Sequence, residues 1–238
     1  MPNYCCNTVT IKKATPEQIK RIIDACERNQ LLDEFFAEPD WRQIPNEQGW
    51  LPGPNYKRCF RGGNAPARDF VDNSRFPDGT ADQRWYSWRT NEGHWSVKWE
   101  PTFTGQWSSG EATVENDVLT LSFETAWCPP GAAWFERLSA AMPKAEILCT
   151  FSEPGMAFYG ITSASDGEAY TIVEDLGALR EEWVKENFSA EQIEIADDED
   201  HDDYDEVYEL ISEAWYDAEA EELDKAYERL IENAAEYA

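Results

Sequence analysis

Residues 118–143, VLTLSFETAWCPPGAAWFERLSAAMP, decide the fold of this chain. The run of apolar and β-branched residues over 118–127 predicts a strong strand. Pro129 and Pro130 then open a helix, because the fixed φ angle of proline suits the first helical turn. Pro143 ends that helix. A strand joined directly to an amphipathic helix predicts a sheet with helices packed against it.

Further strands are predicted on both sides of this stretch, over residues 7–11, 95–99, 145–151 and 157–162. The strand at 95–99 is inferred from Trp95, Val97 and Trp99, which alternate with polar residues as on a half-buried strand. We expect these strands and the one at 118–127 to form a single antiparallel sheet.

A second helix is predicted over residues 16–29, because Thr15-Pro16-Glu17-Gln18 combines a capping box with proline at the first helical position. Residues 37–82 are rich in Pro, Gly and Asn and predict a long irregular insertion. The order is therefore strand, helix, insertion, two strands, helix and two strands. It predicts an α+β fold, a ferredoxin-like antiparallel sheet with two helices on one face.

Four stretches of the chain carry a resemblance to a known family: MPNYCCN at 1–7, HWSVKW at 94–99, FETAWCPP at 123–130 and EPGMAFYG at 153–160. They resemble the YubB-type ferredoxin-like proteins carried by phages and plasmids. The resemblance covers residues 1 to about 165. It implies a ferredoxin-like fold over 1–165 and a mobile-element origin, and it carries no catalytic residue.

Charge is distributed unevenly along the chain, whose formal net charge is −28. Residues 1–100 hold 14 basic and 14 acidic residues and are neutral. Residues 181–238 hold 3 basic and 23 acidic residues. A segregated charge of this size indicates a partner of opposite sign.

Residues 175–238 are predicted to form an acidic helical extension. Ser189 to Gln192 form another capping box, and apolar residues recur from Tyr204 onward with a phase slip near 218–223. Either one helix of about 33 residues or a pair of helices fits this pattern. In both cases its apolar face must pack against another surface.

The leading functional hypothesis is inhibition by binding. A rigid acidic helix can present carboxylates to a basic nucleic-acid-binding surface of a host protein, for example a CRISPR effector or a restriction nuclease, and so mimic nucleic acid. The alternative is an acidic face that only keeps the protein dispersed. The candidate contact residues lie outside the apolar stripe: Asp205, Glu206, Glu209, Glu213, Asp217, Glu221, Glu222 and Asp224.

A second hypothesis concerns an aromatic stretch with interspersed basic residues. The aromatic and apolar members are Trp85, Tyr86, Trp88, Trp95, Val97, Trp99, Phe103 and Trp107, and the basic ones are Arg84, Arg89 and Lys98. They could form a stacking groove for single-stranded nucleic acid, with the acidic extension as an intramolecular guard. A tryptophan-rich core explains the same pattern, and the net charge makes direct nucleic-acid binding the weaker hypothesis.

Metal binding and catalysis have little support in the sequence. Asp198, Asp200, Asp202 and Glu209 match the spacing of a calcium loop, but the position that needs glycine is Asp203. Cys59 and His94 are the only conceivable thiol–imidazole pair, and no Walker, Rossmann or Ser/His/Asp motif is present. We therefore expect no enzymatic activity and no cofactor.

Cellular location is inferred from what the sequence lacks. No apolar run approaches the ~20 residues of a membrane span, and the first residues do not have a signal-peptide pattern. The six cysteines show no metal-ligand spacing, and several lie within apolar patterns. Free buried thiols indicate a reducing compartment, so we expect a cytoplasmic protein with no membrane partner.

Overall fold

A six-stranded sheet forms the centre of the computed structural model, which describes residues 3–53, 75–105, 108–199 and 201–236. Its strands are β1 (Tyr4–Lys12), β2 (Glu111–Glu115), β3 (Val118–Ala126), β4 (Glu146–Glu153), β5 (Phe158–Ser165) and β6 (Glu168–Asp175). Their order across the sheet is β2-β3-β1-β4-β5-β6, and every neighbouring pair is antiparallel.

Seven α-helices accompany the sheet in the described residues: α1 (Pro16–Glu27), α2 (Leu31–Phe35), α3 (Arg84–Arg89), α4 (Ala132–Ala141), α5 (Leu176–Asn187), α6 (Ala190–Asp197) and α7 (Tyr204–Glu236). Short 3-10 turns occur at Trp41–Gln43 and Pro154–Met156. No described helix is both long enough and apolar enough to cross a membrane.

The first four strands and two of the helices form the ferredoxin-like core. The chain runs β1-α1-β2-β3-α4-β4, and the strand order β2-β3-β1-β4 is that of the split βαβ plan. β5 and β6 extend this sheet by two hairpin-connected strands. The predicted α+β, ferredoxin-like fold is therefore confirmed.

The main core lies between one face of the sheet and helices α1 and α4. Val9 and Ile11 of β1 are fully buried there, as are Trp134 and Phe135 of α4. The predicted capping box begins α1: Gln18 N donates to Thr15 Oγ1 at 3.3 Å, and Thr15 N donates to Gln18 Oε1 at 2.7 Å. The helix ends at Glu27, close to the predicted boundary.

The strand predicted at 95–99 is wrong. These residues form turns and bends, and Ser96 has a φ of 62°, which an extended strand cannot adopt. Trp95 and Val97 are nevertheless fully buried. The Trp95 indole N–H donates to Phe36 O at 2.8 Å. Burial in the core, rather than pairing in a sheet, explains the alternation of apolar residues.

The strand that pairs with β3 is β2, which is joined to it by a tight turn. Asn116 and Asp117 occupy this turn with φ angles of 51° and 64°, a conformation that Asn and Asp adopt more readily than most other residues. Most of β2 is exposed, so it lacks the apolar signal of a buried strand.

The predicted insertion at 37–82 is only partly described, since residues 54–74 lie outside the described ranges. Its described parts contain the turn Trp41–Gln43 and an isolated bridge between Arg75 and Ala81. Glu38, within this segment, is buried and forms an ion pair with Arg89 of α3 at 2.6 Å. The insertion is thus attached to the core by internal contacts.

Candidate protein-binding surface

The long helix α7 packs on the face of the sheet that is opposite α1 and α4. β5 alternates, so that Tyr159 and Ile161 point away from the main core and form a second apolar cluster. Trp215 of α7 is buried in this cluster together with Ala226 and Leu230. The apolar stripe predicted for the extension therefore has a partner, which is the back of β5.

Polar contacts hold the same helix in place. The Tyr227 hydroxyl donates to Phe151 O of β4 at 2.9 Å, and burial raises the pKa of this hydroxyl. Arg180 of α5 donates to the Ser212 hydroxyl at 3.2 Å. These contacts join α7 both to the sheet and to α5.

The predicted extension is built from three helices, of which 204–236 form one. Both halves of the capping box at Ser189 and Gln192 are present at the start of α6. Trp183 of α5 and Trp215 of α7 pack edge to face with centroids 5.4 Å apart. Of the two arrangements that the sequence allowed for 204–236, the single helix is the one formed, and at 1.5 Å per residue it is ~50 Å long.

The side of α7 that faces away from β5 carries four of the eight predicted contact residues. These four are Glu206, Glu213, Asp217 and Asp224. The last three lie seven, eleven and eighteen residues after Glu206, offsets that place all four on one helix face. All four are exposed, and they span ~27 Å along the axis. We call these four residues the outer face.

Asp205 and Glu209 flank the outer face and are also exposed. Within the described residues, none of these six carboxylates forms an ion pair. Their charge is therefore not neutralised internally and is available to a partner.

Two of the predicted contact residues differ from the other six. Glu221 and Glu222 both bind Lys225 at 2.8 Å, and Glu222 is half-buried. The Lys225 ammonium lowers the pKa of Glu221, and the two carboxylates raise that of Lys225. These two carboxylates already have an internal cation and contribute less to the free negative surface.

Other features of this surface did not belong to the predicted set. Glu228 and Glu232 continue the exposed acidic side of α7, and Glu191 and Glu194 expose further carboxylates on α6. Tyr216 is 80% exposed on α7. The continuing acidic pattern was visible in the sequence, whereas the exposure of a tyrosine beside the buried Trp215 depended on how the helix packs.

The aromatic stretch of the second hypothesis lies mostly inside the protein. Trp95 and Trp99 are buried, and Arg89 is buried against Glu38. Trp85, Tyr86, Trp88 and Phe103 are half-buried, Val97 is buried, and Trp107 lies outside the described residues.

The other basic side chains of that stretch also have internal partners. Arg84 binds Asp82 at 2.7 Å, and Lys98 lies over the rings of Tyr86 and Trp99 at 5.6 and 5.3 Å. Because the three cations contact internal groups, the geometry does not favour a phosphate-binding groove here.

The spacing that suggested a calcium loop falls between two helices. α6 ends at Asp197 and α7 begins at Tyr204, while Glu209 lies inside α7 and Asp200 lies outside the described residues. His201 N donates to Asp198 O at 3.0 Å, which forms a local turn. Among the residues that the structure describes, no three His, Cys, Asp or Glu side chains lie together as a metal site would require.

The histidine and cysteine residues considered for catalysis show no catalytic arrangement among the described residues. His94 stacks on Trp88 with centroids 4.4 Å apart, and its Nδ1 lies 3.0 Å from Trp88 O. Cys59, the thiol considered with it, lies outside the described residues. Burial raises the pKa of the Cys26 thiol to about 12 and that of Cys128 to about 11, so these two thiols are poor nucleophiles.

Comparison with known proteins supports the ferredoxin-like assignment. A family described as "Ferredoxin-like domain in Api92-like protein" matches residues 94–210, which extends past the limit near 165 that the YubB resemblance implied. The crystal structure of protein Api92 from Yersinia pseudotuberculosis is 11% identical, with a TM-score of 0.37, and covers 72% of this chain and 98% of its own. That similarity is too low to transfer any property. No curated protein matches the chain.

Proposed function

We propose that this protein is a non-enzymatic inhibitor that binds a basic nucleic-acid-binding surface of a host defence protein through the outer face of α7. A mobile-element origin of the YubB type and a place in the host cytoplasm belong to the same proposal. The observation that carries it is the set of exposed carboxylates without internal cations on a helix that is anchored to a sheet.

The charge density of α7 supports mimicry of nucleic acid. Residues 203–236 hold 13 acidic and 2 basic residues. Along ~50 Å this is about one carboxylate per 4 Å, against one phosphate per ~1.7 Å in duplex DNA. α6 packs beside α7, and its exposed acidic residues add to this charge density.

Rigidity is the second requirement for such a mimic. A helix that is free in solution loses conformational entropy when it binds, whereas α7 is already held by Trp215, Leu230 and the hydroxyl of Tyr227. The carboxylates are therefore presented in a fixed array before the partner arrives.

The test compares two variants with the same net charge. The outer-face variant carries Glu206→Gln, Glu213→Gln, Asp217→Asn and Asp224→Asn. The matched control carries Glu17→Gln, Glu27→Gln, Glu111→Gln and Glu115→Gln, which are exposed positions on α1 and β2. Deleting the extension is a poorer test, because it would expose Tyr159 and Ile161 to water.

The readout is inhibition of DNA cleavage by a panel of purified CRISPR effectors and restriction nucleases, with duplex DNA as competitor. We expect the intact protein and the control variant to inhibit a panel member, DNA to compete, and the outer-face variant to lose inhibition. Equal inhibition by both variants would rule out the outer face. Capture of single-stranded nucleic acid by the outer-face variant would favour the intramolecular guard instead.

A further inference from the structure

A cleft of about 810 Å³ lies between the described parts of the insertion and α3. None of its described lining residues belongs to α7. Trp41, Trp50, Phe76 and Trp88 line it together with several amide and carboxylate side chains. Its volume is within the range of about 300–1,000 Å³ that is usual for ligand sites. Nothing in the proposed function uses this cleft.

The aromatic rings of the cleft pack against neighbouring side chains and remain partly exposed to solvent. Trp50 is 39% exposed, and Trp41, Phe76 and Trp88 are half-buried. Arg84 lies over the rings of Trp41 and Phe76 at 5.2 and 5.3 Å. Rigid, partly exposed rings lose little entropy when a ligand covers them.

The charges of the described lining residues favour a cationic ligand over an anionic one. Among the described residues that line the cleft, Arg84 carries the one guanidinium, and it binds Asp82 through Nε at 2.8 Å and Nη2 at 2.7 Å. The carboxylates of Glu47 and Asp78 have no ion-pair partner within the described residues. A phosphate or carboxylate would be repelled, whereas a ligand with a basic group would be attracted.

Several hydrogen-bond donors of the cleft have no acceptor among the described residues. The side-chain oxygens of Asn46 and Asn91 already accept from Trp50 N and Gly93 N, both at 2.8 Å, while their NH₂ groups have no acceptor among the described residues. In the part of the chain that is described, the indole N–H groups of Trp50 and Trp88 have no acceptor. The matching ligand has apolar surfaces and several unpaired carbonyl oxygens.

We propose that this cleft binds an extended proline-rich peptide with a basic residue beside the prolines. A polyproline II chain has no internal hydrogen bonds, so its carbonyls can accept from the indole and amide donors while its rings pack on the tryptophans. Glu47 and Asp78 then face the basic residue.

Calorimetry on the full-length protein tests this proposal with three synthetic heptapeptides, each acetylated and amidated. The first has six prolines and an arginine, the second has alanine in place of proline, and the third has glutamate in place of arginine. We expect the first to bind with Kd of about 100 µM and the other two to bind at least about fivefold more weakly.

Two substitutions locate the binding. Trp50→Ala removes an exposed ring and is expected to weaken the first peptide about fivefold to tenfold. Glu47→Gln is expected to weaken it about twofold to fivefold and to leave the affinity of an all-proline peptide unchanged. Tyr216→Ala, which removes an exposed aromatic ring on α7, serves as the control and should change nothing.

Four results would overturn the proposal. These are no heat with about 1 mM of the first peptide, equal affinity for the alanine peptide, unchanged affinity in Trp50→Ala, and heat from maltotriose with none from any peptide. None of them bears on the outer face of α7, which is on another part of the molecule.

Discussion

Glu38 and Arg89 form a buried ion pair at 2.6 Å that joins the insertion to α3. The Arg89 guanidinium donates through both Nε and Nη2 to Glu38 Oε2, and Glu38 Oε1 accepts from the Trp41 indole at 2.7 Å. Breaking one side of such a pair leaves an uncompensated charge in the protein interior.

We therefore expect Arg89→Ala to lower the free energy of unfolding by about 3–5 kcal/mol, measured by urea denaturation. Arg42, which binds Asp40 at 2.6 Å on the surface, provides the matched control. Arg42→Ala should cost less than about 1 kcal/mol. Equal effects of the two substitutions would contradict the structural importance of the buried pair.

Glu100 predicts a pH dependence. Burial raises the pKa of this carboxyl from 4.5 to about 8, although the N–H groups of Leu32 and Asp33 donate to it at 2.7 and 2.6 Å and act in the opposite direction. The folded protein thus binds this proton more tightly than the unfolded chain does. Its contribution to stability is complete below pH 4.5 and is lost as the pH rises through about 8.

Chemical denaturation at a series of pH values checks this expectation. Compared with the unmodified protein, Glu100→Gln should show a smaller fall in the free energy of unfolding between pH 5 and 8, roughly the interval between the two pKa values. Glu111→Gln, at an exposed position, should leave the slope unchanged. A parallel slope in Glu100→Gln would show that Glu100 is not the group responsible.

The docking of α7 predicts a contrast between two adjacent residues. Trp215 is buried against the back of β5, whereas Tyr216 points into solvent. We expect Trp215→Ala to cost about 3–5 kcal/mol and to speed proteolysis within 204–236. Tyr216→Ala should do neither, and similar cleavage rates in both variants would contradict the packing described here.

The net charge of −28 predicts that salt stabilises the protein. Raising NaCl from about 20 to about 500 mM shortens the screening length severalfold and weakens repulsion among the carboxylates of α5–α7. Calorimetric scans should show a rise in Tm of about a few degrees, which is smaller in the outer-face variant. A fall in Tm with salt would mean that attractive ion pairs dominate instead.

Local patterns were enough to predict much of this architecture. The capping boxes at Thr15 and Ser189, the strand and helix within 118–143, and the turn at Asn116-Asp117 were all recognisable, because each depends on hydrogen bonds or periodicity within a few residues. The segregation of acidic residues into the last quarter of the chain was equally clear. These features led to the ferredoxin-like fold and to the predicted contact residues.

Contacts between distant residues settled the rest. The alternation of Trp95, Val97 and Trp99 is identical in a strand and in a buried loop. The two are distinguished only by tertiary contacts, such as the hydrogen bond from the Trp95 indole to Phe36 O. Likewise, the sequence shows that Arg84 and Arg89 are positively charged. It does not show that they form ion pairs with Asp82 and Glu38. Which side of α7 remains free depends on β5, about 50 residues earlier in the chain. Burial and ion pairing act across space, so a pattern along the chain cannot specify them.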